Sequence, residues 1–501
     1  MATLANCPCA CCHREMRPLS IAMVGSEAAP FAKTGGLADV ITGLSRCLAA
    51  RGHDVRVFLP YYKRVAEAAI EPPFVENGRD IQVRCGGRSI SFSLRAGELP
   101  GSKAKLYLVD CRELYWRDAL YTQDGDEALR FAFLSRAVLE TCQRLGFAPD
   151  VLHCNDWHTA LLPLYLKTVY HWDRLFTKTK TVLTIHNIGY QGMFPDSVLD
   201  QIGLNDQRAH VHHGDLKDGK ISFLKTGVLH ANKISTVSRT YAKEIQTAEY
   251  GMGMDELLRT RSHDLIGIVN GVDYGDWDPQ TDPLIPHRYS ASDMSGKAKM
   301  KAALLARMGL SYDPKAPVFG VVSRLTSQKG FDLFADSIPI YLQRENMRLC
   351  VLGSGDQHHE SYFQWLRDTW PTKVGIYRGY HDELAHWVEA GSDVFLMPSR
   401  YEPCGLNQMY SLRYGTPPVV RRTGGLADTV QAWDAKAGTG TGFPFDEFSS
   451  HALAGTLQWV FQNWADQKGW QKLMQNGMAM DFSWQRQAPE YEALYRGMCG
   501  G

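Results

Sequence analysis

The chain has 501 residues, 44% hydrophobic and 22% charged, the composition of a globular protein too long for one core. Lys+Arg and Asp+Glu are equal at 54 each, so the electrostatic footprint of a nucleic-acid or anionic-membrane binder is absent. No apolar run approaches the ~18–20 residues of a membrane span, and Met1–Arg17 lacks the apolar core of a secretory signal.

The first dozen residues crowd Cys7, Cys9, Cys11 and Cys12 beside His13. Their spacing fits no zinc pattern, so residues 1–18 read as a disordered tail. The remaining cysteines are scattered singly, as expected of reduced thiols. From Leu19 the text alternates short apolar runs with longer mixed ones. Strands are expected at Leu19–Val24, Val55–Leu59, Leu106–Val109, Val151–His153, Thr181–Ile185, Lys233–Val237 and Leu265–Val269, with helices at Ala38–Arg51 and Asp126–Leu145 between them. Runs this short, β-branched and apolar suit strands buried on both faces of a parallel, doubly wound sheet. Asn270–Pro286, rich in Gly, Asp and Pro, breaks the rhythm and reads as a linker. The rhythm restarts at Val318–Val322, Arg348–Leu352, Val374–Tyr377, Val394–Met397 and Pro417–Val420. Two α/β domains with Rossmann-like parallel sheets follow, 19–269 and 270–480. An aromatic-rich closing segment, 481–501, is expected as a helix packed back on the first domain.

One string occurs twice. Thr-Gly-Gly-Leu-Ala-Asp starts at Thr34, after Lys33, and again at Thr423, after Arg422. Each copy opens a helix-like run after an apolar one. Paired glycines let the backbone approach a ligand, and a helix N-terminus attracts anions. Four polar clusters follow expected strands, where an open α/β sheet holds its ligands. They are His153–His158, His186–Gly192, Ser323–Gly330 and Ser399–Leu406. Arg324 and Lys329 share one loop, so a guanidinium fork and an ammonium point charge can reach one anion. Asp156, His186 and Glu402 suit sugar hydroxyls. Together these point to transfer of a group from a diphosphate without metal. Walker, GxSxG and HExxH patterns are absent.

The segments KTGGLADV, NDWH, TIHNIGYQG, NGVDYGDWDP, SRLTSQKG, SRYEPCGLNQMYSLRYGTPPVVRRTGGLADTV and DFSW resemble, in order, bacterial glycogen synthase and plant starch synthase. The resemblance runs from about Ile21 to Tyr495. It implies the GT-B fold, two Rossmann-like domains facing across a cleft. It also implies retaining transfer of glucose from ADP-glucose to the 4-OH end of an α-1,4-glucan, with no metal or cofactor. By the same resemblance Lys33, Thr34, Gly35 and Gly36 meet the donor phosphates, and Asp39 holds the nucleoside or the loop. Asp156, His186 and Asn187 surround the glucose, Arg324 and Lys329 stabilise the leaving ADP, and Asn270 lies on the donor side near the hinge. Tyr380 stacks on adenine. Glu402, Cys404, Gly405 and Leu406 hold the glucose, and Thr423, Gly424 and Gly425 form a second diphosphate turn facing the same ADP.

The chain departs from the wider superfamily in one place. Where a second Glu often follows the first after seven intervening residues, Tyr410 stands eight positions on from Glu402, as is common in this branch. With no confident carboxylate nucleophile, front-face transfer is the expected mechanism. The resemblance implies a cytoplasmic protein in a bacterium, or a plastid or granule protein in a photosynthetic eukaryote. Rival readings are a UDP-glucose enzyme making sucrose or trehalose, a dinucleotide oxidoreductase, and a silent glucan-binding protein. Gly353-Ser354-Gly355 lacks the third glycine a dinucleotide fingerprint needs.

Overall fold

The computed structural model describes residues 17–68 and 70–500. The cysteine cluster at Cys7–Cys12 lies outside them. The first sheet collects β1 (Ser20–Val24), β2 (Asp54–Pro60), β3 (Ile81–Cys85), β4 (Arg88–Glu98), β5 (Lys105–Asp110), β6 (Val151–Asn155), β7 (Lys180–Ile185), β10 (Lys233–Thr236) and β11 (Leu265–Gly267). Two short strands, β8 (Met193–Pro195) and β9 (Lys220–Ser222), pair apart. The nine-stranded order is β11-β10-β7-β6-β1-β2-β5-β4-β3. Every strand expected from the sequence is here, and the expected strands run parallel to one another. The hairpin β3–β4 is an addition, antiparallel at the edge. It alternates buried and exposed residues in β3 because one face meets water.

The second sheet contains β12 (Val318–Val322), β13 (Arg348–Gly353), β14 (Val374–Arg378), β15 (Val394–Met397), β16 (Pro418–Arg421) and β17 (Phe443–Phe445), all parallel, in the order β14-β13-β12-β15-β16-β17. β17 was too short to stand out in the sequence. Among the described residues no helix is long and apolar enough to cross a membrane. The described cysteines are free thiols.

The chain crosses between lobes twice at one place. Val272 donates its N–H to Phe482 O at 2.8 Å, so outgoing and returning segments run side by side. The returning helix Trp484–Cys499 packs on the first lobe. Tyr495 Oη lies 2.7 Å from His153 Nδ1 in β6, and Arg51 clasps Glu492 at 2.6 Å. Gly43 and Gly271 leave room for the Trp484 indole, which a Cβ at either would overlap. The first lobe's apolar core continues into Met409, Tyr410 and Leu412 of helix Asn407–Arg413. Trp277 of the linker stacks between His386 (3.7 Å, 13° between planes) and Tyr410 (4.0 Å, 2°). Tyr410 is therefore part of the hinge packing, a place where a carboxylate would lose that aromatic contact.

Candidate active site between the lobes

Parallel strands present their carboxyl ends to one side, and each polar cluster leaves such an end. Asp156 follows β6 with φ +55° and ψ −175°, a conformation disfavoured for a side-chain-bearing residue and often kept at functional sites. Its Oδ1 accepts the N–H groups of His186 (2.7 Å) and Asn187 (3.4 Å), which follow β7. Asp156 thereby ties two crest loops together. Burial pushes its carboxyl up to about 7, against the pull of those N–H groups. His186 Nε2 lies 2.9 Å from Asn155 Oδ1, and burial lowers its imidazole to about 3, so it works as a neutral ring.

On the opposite lobe, the loop after β12 carries Arg324 and Lys329. The loop after β15 carries Glu402, only 4% exposed. Lys329 Nζ donates to Glu402 Oε2 at 2.6 Å, and Ser399 Oγ donates to the same oxygen at 2.9 Å. Gly330, at φ +75°, fits against the Pro398 carbonyl where a Cβ would overlap, which draws the two loops together. Arg324 Nη1 reaches across the cleft to Tyr190 Oη at 3.4 Å. A Cβ at Gly189 would lie 3.1 Å from Tyr401 Oη, so the His186–Gly192 loop faces both second-lobe loops.

The two Thr-Gly-Gly turns differ. In the first, Lys33 Nζ pairs with Asp39 Oδ1 at 2.8 Å, both partly exposed. Glu27 accepts from the Thr34 N–H and Oγ1, both at 2.6 Å, and weakly from the Gly35 N–H at 3.4 Å. Gly35 faces open space, and Gly36 packs toward Leu406 of the other lobe. In the second, the Gly424 N–H donates to Glu244 Oε1 and Oε2 at 3.0 and 3.1 Å. Thr423 Oγ1 donates to the same carboxylate at 3.0 Å. The Gly425 N–H donates to the carbonyls of Glu402 and Pro403, both at 3.1 Å. In the structure these donors are engaged by Glu244 and by the Glu402 and Pro403 carbonyls, as the Thr34 and Gly35 donors of the first turn are engaged by Glu27. The turn braces the Glu402 loop and docks on the first lobe. Asp428 completes the docking: it accepts the Arg239 and Thr240 N–H groups (2.7 and 3.0 Å) at the start of helix Arg239–Glu244.

Around these loops, Asn270 is buried with its Oδ1 unpartnered. Its backbone N–H points to the Cys404 sulfur. Cys404 is 4% exposed, and Gly405 adopts φ +71°. Tyr380 is 76% exposed, its Oη donating to Asp382 at 2.8 Å. Its charge environment includes Asp39 of the first turn. Glu27, Glu244 and Tyr121 were not singled out from the sequence. Tyr121 Oη donates to Glu27 at 2.6 Å, and its ring stacks on His158 at 4.6 Å. A lone acid carries no periodic signal; only the position of Glu27 shortly after the first strand could have flagged it.

The profile of the starch synthase catalytic domain matches residues 20–260, and that of glycosyl transferases group 1 matches 308–477. The glycogen synthase of Koribacter versatilis is 45% identical over 488 residues, 95% of this chain and 98% of that protein. That of Streptococcus sanguinis is 40% identical, covering 96% and 100%. The catalytic domain of starch synthase IV from Arabidopsis thaliana, solved with ADP and acarbose, superposes with a TM-score of 0.88 at 31% identity, covering 97% of this chain and all of that one. Sucrose-phosphate synthase from Thermosynechococcus elongatus, at 16% identity and a TM-score of 0.59, shares the fold. Two parallel-sheet lobes, a cleft lined from both sides and full-length relatives at this identity agree: the chain belongs to the glycogen and starch synthase family of GT-B glycosyltransferases.

Proposed function

We propose that this protein transfers glucose from ADP-glucose to the non-reducing 4-OH end of an α-1,4-glucan, with retention and without a metal. The observation that carries this reading is the pair Lys329–Glu402, a partly buried cation and a buried acid at 2.6 Å on adjoining loops. The exposed Arg324 guanidinium shares the Lys329 loop, and the first turn, with space beside Gly35, meets Leu406 of the Glu402 loop through Gly36. One end of this constellation suits a diphosphate and the other a sugar.

The donor lies with its diphosphate against Arg324, Lys329 and the Lys33–Gly36 turn, and its glucose between Glu402 and the Asp156–His186–Asn187 corner. The C1–O bond to the β-phosphate breaks, and its electron pair stays on ADP. The acceptor O4 attacks C1 from the face that ADP leaves, and its proton passes to the departing phosphate oxygen. The products are ADP and a glucan one residue longer, with the anomeric configuration kept. No protein carboxylate bonds to C1. Asp156 is turned toward N–H donors, and Glu402 is neutralised by Lys329. Rate comes from stabilising charge on ADP and from excluding water, since hydrolysis of the donor is the competing reaction. Tyr380 and Asp39 line the nucleoside end, and Asn270 Oδ1 accepts from a donor hydroxyl. The protein works in the cytoplasm of a bacterium, or in the plastid of a photosynthetic eukaryote.

The test is transfer of labelled glucose to glycogen and to small sugars from ADP-glucose and UDP-glucose, with and without a chelator. ADP-glucose and glycogen should give the signal, and transfer should persist in the chelator; preference for UDP-glucose with a small acceptor overturns the reading. Lys329→Ala and Arg324→Ala should each lower kcat by about 10²–10³. Near-normal kcat in both removes the leaving-group role.

A further inference from the structure

Helix Gln357–Thr369, which follows β13, opens with adjacent histidines, His358 and His359. Neither takes part in the cleft. His359 is 2% exposed, and its Nε2 is buried without a hydrogen-bond partner, an uncommon state for an imidazole nitrogen. That nitrogen lies 3.7 Å from Asp332 Oδ1, and His358 Nε2 lies 3.9 Å from the same oxygen. Both distances are too long for hydrogen bonds. The two rings sit 3.7 Å apart, and the three donor atoms lie within 4.8 Å of one another. Ligands of a tetrahedral zinc ion, each ~2.0–2.1 Å from the metal, stand about 3.3 Å apart. The two Asp–His separations are therefore about half an ångström wider than in a loaded site, and with all three atoms within 4.8 Å the side chains close by at most ~1.5 Å on binding. Two imidazoles and one carboxylate are donors that zinc, cobalt and nickel accept. Two positive charges oppose a cation here. Arg400 Nη2 stands 3.6 Å from Asp332 Oδ2, the oxygen the histidines do not face. The helix N-terminus is positive, but Asp356 and Glu360 flank the histidines there.

We propose that Asp332, His358 and His359 bind one divalent transition ion of the zinc class, with water completing its coordination. The ion pins the turn Phe331–Phe334 to helix Gln357–Thr369. That turn follows Lys329 and the left-handed Gly330, so the ion braces the loop that carries the leaving-group lysine. It also draws Asp332 away from Arg400, two residues before Glu402. The ion is a brace and takes no part in glucosyl transfer.

Zinc titration of the full-length protein by calorimetry, with cobalt absorption as a second readout, tests this. Cys7, Cys9, Cys11 and Cys12 are competing soft donors, so the background is the variant with all four changed to Ser. That variant should bind one equivalent of zinc. His358→Ala and Asp332→Asn should each weaken this binding at least tenfold; His358 is 62% exposed, so its loss leaves folding intact. Bound cobalt should show visible d–d bands without thiolate charge transfer. Unchanged affinity and stoichiometry in both variants overturns the proposal. So does zinc binding that vanishes with the four cysteines.

Discussion

The two Thr-Gly-Gly-Leu-Ala-Asp turns are identical in sequence and differ in their surroundings. The first opens the 15-residue helix Gly36–Ala50; its Gly35 is extended and faces open space, and its Asp39 answers the neighbouring Lys33. The second opens the six-residue helix Gly424–Thr429, where Gly424 takes φ +44° and lies against the Glu402 carbonyl. Its Asp428 answers the other lobe. Two helices across the cleft thus cap each other: Asp428 caps helix Arg239–Glu244, and Glu244 caps helix Gly424–Thr429. The same six residues leave space beside Gly35 and none beside Gly424, because different backbone packs against each. Where neighbouring backbone fills the space, the same residues become a clamp.

The largest effect is expected at the residues before each turn. Lys33→Ala should lower kcat/KM for ADP-glucose by about 10²–10³, the scale of one lost transition-state donor. Arg422→Ala should stay within threefold, because Arg422 pairs with exposed Asp446 at the surface. Equal losses in both would mean that the two turns share the diphosphate.

Glycine substitutions sharpen the contrast through stability. Gly424→Ala forces a Cβ onto the Glu402 carbonyl at positive φ, and should cost about 2–4 kcal/mol, read as a lowered Tm. Gly35→Ala should leave Tm within about a degree while lowering activity. A Tm drop at Gly35 as large as at Gly424 would show that the first turn is packed as well.

Charge separates the lobes in the same way. Glu402 is neutralised by Lys329, whereas Asp156 is buried with N–H donors only. Its folded carboxyl, raised to about 7 from an ordinary 3.8, contributes stability that is full below pH 3.8 and lost as pH rises through 7. Asp156→Asn keeps the N–H acceptor and removes that loss. The variant should be less active yet more stable than the parent at pH 8, by up to a few kcal/mol at about 1.4 kcal/mol per pKa unit. The gap should narrow toward pH 5. A gap independent of pH would show that Asp156 titrates normally.

The smallest effect belongs to the interlobe clasp. Asp428→Asn weakens charge-assisted hydrogen bonds at a partly exposed site, about 1 kcal/mol in all. Small-angle scattering without ligand should show a larger radius of gyration, with kcat reduced two- to fivefold. An unchanged radius would mean that the hinge packing alone holds the lobes.

The sequence by itself determined the architecture. Strands buried on both faces must be apolar throughout, so β1, β2, β5, β6, β7 and the five long strands of the second sheet announce themselves without context. Loops bearing Asp156, His186, Arg324, Lys329 and Glu402 announce themselves too, because polar clusters directly after such strands fall at one crest. The β3–β4 hairpin escaped because its half-exposed pattern is diluted by polar residues, and β17 because it has three residues. Only tertiary structure decided that Lys329 neutralises Glu402, that Tyr410 stacks on Trp277, that Glu27 and Glu244 hold the turns, and that one glycine turn is open and the other filled. These depend on which distant groups meet. Local propensity does not encode that; it is set when two lobes close and each buried donor must find an acceptor.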